Sequence, residues 1–258
     1  MRPAVTPAGR YCRVLGALLS LGLVSSETLA QCSARSVTGL YGLATQAVDG
    51  NGITATTVSV FEFLPATQAP FADRVRELYG VTTRSAHWNS SGVGTYAVTG
   101  DCHLHLAVNN LEGGAYALEG ELETRTRTIP VLQTVSNNSS VAVGVMRPIK
   151  AKACKPGFFR GAYTVQTQGQ VSPERLWQSR TARLTADGYS VDQTWEVVNT
   201  AGSVAFSPPA FAPATVEHSC FWTIANGFQG VVTERGRRML YMATTPGTLR
   251  LGEMLRNP

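Results

Sequence analysis

From residue 31 onward, apolar and polar residues alternate in short stretches separated by turn residues. In the run from Cys102 to Val108, Cys102, Leu104, Leu106 and Val108 occupy one set of alternate positions, and His103 and His105 occupy the other. Residues two apart on a strand point to the same side, so this run is a strand with one oily and one wet face. Gly39, Tyr41 and Leu43 repeat the pattern, and Tyr116, Leu118 and Leu122 oppose Glu119, Glu121 and Glu123. One buried and one solvated face is the mark of an antiparallel sheet. The alternation predicts strands over 37–48, 53–64, 78–88, 93–99, 102–109, 114–124, 128–135 and 141–147. Gly/Asn/Ser-rich turns are expected at 49–52, 89–92, 109–110 and 137–140. Residues 71–79 read as a turn or two of helix in a connection, and 207–214 as a proline-rich loop. Short strands at regular spacing suggest a sandwich or barrel, and eight of them can close into a barrel that hides its edges.

The second half repeats the first. Cys32-x6-Gly39-x-Tyr41-x3-Thr45-Gln46 returns without a gap as Cys154-x6-Gly161-x-Tyr163-x3-Thr167-Gln168, and Cys102 and Cys220 follow at similar distances. Self-similarity over so long a period indicates two copies of one domain rather than a short-period solenoid. The expected architecture is all-β, with two tandem antiparallel barrels of about eight strands each, in domains 31–150 and 151–258 after a leader, 1–30.

That leader reads as a cleaved secretory signal. Arg2, Arg10 and Arg13 form a basic start, 15–24 is an apolar run, and Thr28-Leu29-Ala30 offers small residues at −3 and −1, with Gln31 as the first mature residue. The apolar run is too short for a mature membrane span, and no later stretch is long and apolar enough to be one. The expected location is therefore exported, periplasmic or extracellular. Cysteines pair in such compartments. Cys12 leaves with the leader, and the remaining four allow three pairings. One pair per copy selects Cys32–Cys102 and Cys154–Cys220, each closing a loop worth about 4 kcal/mol on the chain-entropy model. Short Cys-x-x-Cys spacing, which a zinc site would favour, is absent from the sequence.

Charge adds little. The formal net charge is +5 from 22 Lys+Arg and 17 Asp+Glu, with three of the arginines in the leader. No basic stripe of the kind that grips nucleic acid is present. Low charge with abundant Gly, Thr, Ser and Val fits a β-rich exported protein.

Cys32-x6-Gly39-x-Tyr41, followed by a strand ending near Asp101-Cys102, resembles a group of exported, largely uncharacterised bacterial β-barrel domains. Their barrels are similar to those of lipocalins and of allene oxide cyclase. The match covers both copies through a handful of residues and departs in copy two, where Ser219 stands in place of Asp101. The resemblance implies fold and compartment, and carries over no catalytic residue.

The candidate chemistry is sparse. His103-x-His105 could hold a metal, but it lies on the polar face, lacks a third ligand and is not repeated in copy two. Glu119, Glu121, Glu123, Arg125 and Arg127 read as a solvated ladder, where nothing raises a carboxyl toward acid catalysis. The sequence has no Gly-x-Ser-x-Gly elbow, P-loop or Rossmann glycine pattern. No catalytic residue, metal or cofactor is therefore assigned. The aromatic residues Tyr41, Trp88 and Tyr96 in copy one, and Tyr163, Trp195 and Trp222 in copy two, are candidate ligand contacts, because a small barrel either fills its interior or leaves room for one ligand. The leading functional reading is a binding module for a small apolar ligand or a surface partner. A cofactor-free cyclase or isomerase, marked by a buried Glu or His inside a barrel, is the alternative. A structural or adhesive surface protein is the third.

Overall fold

The structure, a computed structural model, describes residues 31–65, 73–83, 87–110, 114–135, 141–150, 154–155, 157, 159–171, 176–207, 210–216, 220–225, 227–245 and 248–258. Residues 1–30, expected to be a leader, fall outside them. Eight strands, β1 (Gly39–Asp49), β2 (Gly52–Leu64), β3 (Arg74–Thr83), β4 (His87–Val98), β5 (His103–Asn110), β6 (Gly114–Glu121), β7 (Ile129–Val135) and β8 (Val141–Ile149), pair antiparallel in chain order and close on themselves. Barrel two uses β9 (Arg160–Val171), β10 (Leu176–Asp187), β11 (Ser190–Thr200), β12 (Ser203–Ser207), β13 (Ala210–Val216), β14 (Phe221–Ile224), β15 (Phe228–Thr233), β16 (Arg238–Ala243) and β17 (Thr248–Arg256). Its ring closes through β10–β11 and β9–β17, while β12 pairs only with β11 among the described residues. Among the described residues no helix is long and apolar enough to cross a membrane.

The repeated motif has a physical basis. Gly39 and Gly161 stand at the first and second positions of their strands with φ of +109° and +115°, a region that favours glycine. Each sends its Tyr neighbour, Tyr41 or Tyr163, into the barrel, where it is fully buried. Cys102 and Cys220 both carry a positive φ, and their carbonyls accept matching bonds from Leu122 and Val232 at 2.9 Å. The disulfides Cys32–Cys102 and Cys154–Cys220 join each copy to itself, as befits an oxidising compartment.

Three elements differ from expectation. Residues 74–79 are not helical but belong to β3, because Val75 and Glu77 turn inward, Arg74 and Arg76 turn outward, and β2 and β4 flank them. The turn expected at 89–92 lies inside β4, whose Asn89 and Ser90 pair with Val81 and Gly80. In copy two, the stretch read as a proline-rich loop contains most of β13, with Pro213 pairing Ser190.

The barrels are joined through their outer walls. Ala44, Val58, Val60 and Val81 on barrel one are buried in one cluster with Phe221, Val231, Leu240 and Met242 on barrel two. Tyr79 meets Phe221 edge-on at 4.3 Å. At the rim, Arg147 reaches Glu253 at 3.2 Å and Glu234 at 3.3 Å, and Gln170 accepts the Ile53 N–H at 2.9 Å. Strands β1 and β2 are thus buried on both faces.

Gly42 sits at this seam, where an added Cβ would lie 2.7 Å from Val231 Cγ1. Gly42→Leu is expected to destabilise the chain by about 1–3 kcal/mol through overpacking. Gly50→Ala, in open space, is expected to change stability by less than about 0.5 kcal/mol. Urea unfolding of the two variants checks the pair.

Candidate functional site

One layer of the barrel-one interior is packed with aromatic and aliphatic side chains. Phe63 makes edge contacts with Tyr41 at 5.3 Å and with Tyr96 at 4.9 Å, and the Arg127 guanidinium lies 5.6 Å from the Tyr41 ring centre. Phe61, Leu104, Leu106, Leu118, Ile129 and Met146 complete this buried layer.

One layer further along, the same interior holds a carboxyl. Glu77 is 4 % exposed. Its Oε1 accepts from Ser59 Oγ at 2.8 Å and Ser90 Oγ at 3.1 Å. Its Oε2 accepts from Tyr116 OH at 3.1 Å and Asn110 Nδ2 at 3.2 Å. Burial pushes the carboxyl above its ordinary range, and the four hydrogen bonds oppose that without cancelling it. The neighbouring Tyr116 phenol is driven up by burial and by Glu77 itself. Four donors occupy the acceptor positions of both oxygens, so the carboxyl is held by its own barrel.

Barrel two has a different interior. Its floor is aromatic: Phe159 stacks on Trp222 at 5.5 Å, and the Tyr163 hydroxyl donates to the Gly236 carbonyl at 3.1 Å. Burial lifts Tyr163 to about 12. Above the floor lies a cavity of about 70 Å³, with Val165, Leu184, Val191, Ile224, Tyr241 and Met254 in its apolar wall.

Register explains the space. Tyr41 faces Phe61 across β1–β2, but Tyr163 faces Leu184 across β9–β10. Gly39 faces Phe63, but Gly161 faces Ala186. Where Tyr96 pairs with Leu106 in barrel one, Ala214 pairs with Ile224 in barrel two. Smaller side chains at matched positions leave a void. The wall is also shorter here. The β4–β5 ladder runs from Gly92 to Val98, whereas the β13–β14 ladder runs only from Ala214 to Val216. Ala210 and Ala212 line the cavity beside the part of the wall that the β14 ladder does not reach.

The polar end of this cavity carries Arg180, Glu196 and Gln193. Arg180 pairs with Glu196 at 2.9 Å and also donates to Gln178 Oε1 at 2.9 Å. Arg250, 7 % exposed, donates to the same Gln178 oxygen at 2.9 Å. Its guanidinium lies 5.8 Å from the Phe228 ring centre. Burial, reinforced by the charge of Arg180, lowers Arg250 to about 10.

Of the residues expected as ligand contacts, Tyr41 and Tyr96 lie in the filled layer of barrel one. Tyr163 and Trp222 lie in the core beneath the cavity of barrel two, and neither lines it. The side chains of Trp88 and Trp195 lie outside the described residues. His103 and His105 point outward and both hydrogen-bond Glu119, at 2.6 and 2.5 Å. Slight burial raises Glu119, but these two histidines outweigh it and leave the carboxyl lowered. Among the described residues no group of three His, Cys, Asp or Glu is arranged to hold a metal. Glu77, Arg180 and Arg250 were not singled out by sequence. The alternation Arg74-Val75-Arg76-Glu77 is the signal that places Glu77 beside an inward valine.

No family model matches the chain. No curated protein matches it either. Among solved structures, the chain is similar to a Bacteroides fragilis protein provisionally assigned to the outer membrane, at 10 % identity and TM-score 0.26, covering 87 % of this chain and 99 % of that one. It is also similar to kievitone hydratase from Nectria haematococca, at 8 % identity and TM-score 0.30, covering 90 % and 95 %. Likenesses this distant say nothing about function.

Because the folded pKa of Glu77 is raised, its contribution to stability is full below the unfolded value and is lost as pH rises through the folded one. Glu77→Gln removes that titration. The stability of the wild type relative to E77Q is therefore expected to fall as pH rises above 4.5, measured by urea unfolding across pH. Glu77→Ala, which strands four donors, is expected to cost about 3–5 kcal/mol below pH 4.5, where the contribution of Glu77 is full, and less as pH rises.

Proposed function

We propose that this protein is an exported, non-catalytic binding module that holds a small, mainly apolar molecule inside barrel two. The carrying observation is the 70 Å³ cavity, bounded by apolar side chains, floored by aromatic ones and polar at one end. Ligand sites in proteins have this composition, concave and apolar with a few converging polar groups. The size sets the scale: a dry cavity of about 150 Å³ admits benzene, so the ligand here is small or the wall gives slightly. Barrel one serves as the filled twin, supplying the seam that braces β15–β17. On this reading the domains are 31–150 and 151–258, the leader is cleaved, and the barrels are of the lipocalin-like type. The ligand contacts are Val165, Leu184, Ile224 and Met254, with Tyr163 and Trp222 as the floor beneath.

Glu77 is the observation that favours a cofactor-free cyclase or isomerase, since a buried carboxyl with a raised pKa suits proton transfer. The geometry argues for the other assignment. A catalytic carboxyl needs an oxygen free to meet substrate, and both oxygens of Glu77 are occupied by Ser59, Ser90, Asn110 and Tyr116.

Ala212 lines the cavity and is 4 % exposed. Native mass spectrometry and thermal-shift screening of the mature chain against small apolar and amphipathic compounds are expected to find a ligand that raises the melting temperature. Ala212→Leu, which fills the space, is expected to abolish that shift while keeping the ligand-free protein folded. A panel with no binder, or a shift that survives in A212L, would remove barrel two as the site.

A further inference from the structure

The charges at and just behind the polar end of the cavity are out of balance: Arg180 and Glu196 line it, and Arg250 lies behind them, outside the lining. Arg180 and Glu196 neutralise each other at 2.9 Å. Arg250 forms no ion pair among the described residues, and its Nε has no hydrogen-bond partner there. Its neighbours in the barrel are a neutral amide, an aromatic ring, the Tyr241 phenol, the cation of Arg180 and the Glu196 carboxylate that Arg180 already engages. Buried cations are normally paired, because removing an ion from water without a counter-charge is costly. Gln178 compounds the point, since its single carbonyl oxygen receives both guanidiniums while its Nε2 donates to Thr200 Oγ1 at 2.9 Å. The site thus carries one net positive charge beside an apolar void, next to Tyr241 and Phe228 in the same wall.

We propose that the ligand of barrel two is a small monocarboxylate, its head met by the guanidinium of Arg180 at the cavity wall, its charge balanced by Arg250 behind that wall, and its compact apolar body lodged against Val165, Leu184, Ile224 and Met254. This rests on the reading of the cavity as a binding site, and adds the chemistry of the head group. A single negative charge balances the site, whereas a phosphate monoester would bring about two. The planar fork of an arginine suits a carboxylate, which it can meet through two parallel hydrogen bonds. The apolar volume limits the body to a few carbons. Entry is from the side of Ala210 and Ala212, where the β13–β14 ladder is absent.

The test compares each acid with its neutral isostere on the mature, disulfide-bonded chain. Butyrate and hexanoate are titrated by calorimetry beside butyramide and hexanamide. The acids are expected to bind about tenfold to a hundredfold more tightly, as hydrogen bonds to a charged group imply. Arg250→Met removes the unpaired cation and keeps the length of the stem. It is expected to raise the melting temperature of the ligand-free protein and to erase the preference for acid over amide. Equal binding of acid and amide by the wild type would overturn the proposal and leave the cavity reading standing. Binding of neither would overturn both. An R250M protein that keeps the acid preference, or melts lower than the wild type, would show that Arg250 serves the fold instead. The wild-type comparison decides the matter even if R250M does not fold.

Discussion

A closed barrel shuts water out of its interior, and every polar group on an inner face must then find its partner on another inner face. That constraint separates the two copies. In barrel one the requirement is met for the buried carboxyl. Glu77 receives two hydroxyls on one oxygen and a phenol and an amide on the other. In barrel two it is met in part, because Arg180 has Glu196 and Arg250 has only a shared carbonyl. The first interior is finished by its own side chains. The second has a neutralised pair, a surplus cation and a void.

The difference traces to a hairpin. Asn110 and Tyr116 come from the outer ends of β5 and β6, beyond the Leu106–Leu118 pair. The matching hairpin of copy two stops at Ile224 and Phe228, which pair where Leu106 and Leu118 do. The residues that would cap an inner polar group in that layer therefore have no counterpart among the strands of barrel two. Gln193 stands where Glu77 does, facing Leu184 as Glu77 faces Phe61. Shortening two strands thus removed both a stretch of wall and the donors that a buried carboxyl would need. Alanines at 182, 186 and 214 did the rest by withdrawing volume.

Much of this was readable from alternation and repeat. The eight strands of copy one, the inward Tyr41 and Tyr163, the outward His103 and His105, and the two disulfides all follow from period two and from matching offsets. What escaped depends on register and on neighbours distant in sequence. Residues 74–79 look helical in isolation because Arg74, Arg76 and Glu77 are good helix formers. Pairing on both sides overrides that preference, and the helical reading concealed Glu77. The seam between the barrels was hidden for a related reason. Thr56, Val58 and Val60 occupy the outward positions of β2, and an outward Val reads as ordinary strand composition until a second barrel covers it. β2 carries apolar side chains on both faces, Phe61 and Phe63 inward and Val58 and Val60 outward, as a strand buried on both sides should. Arg180 and Arg250 are 70 residues apart in sequence and meet only through Gln178.

A duplicated fold also explains how an unbalanced charge is tolerated. The seam ties β15–β17 to the filled barrel through Val231, Leu240, Met242 and the ion pairs of Arg147. The disulfide Cys154–Cys220 pins the aromatic floor from the other side. Barrel two is therefore held from outside itself, by contacts that do not use its interior. Its inner residues are freed from the task of filling space and satisfying one another, which the inner residues of barrel one must perform. A cation that would destabilise an isolated small barrel can persist in such a frame.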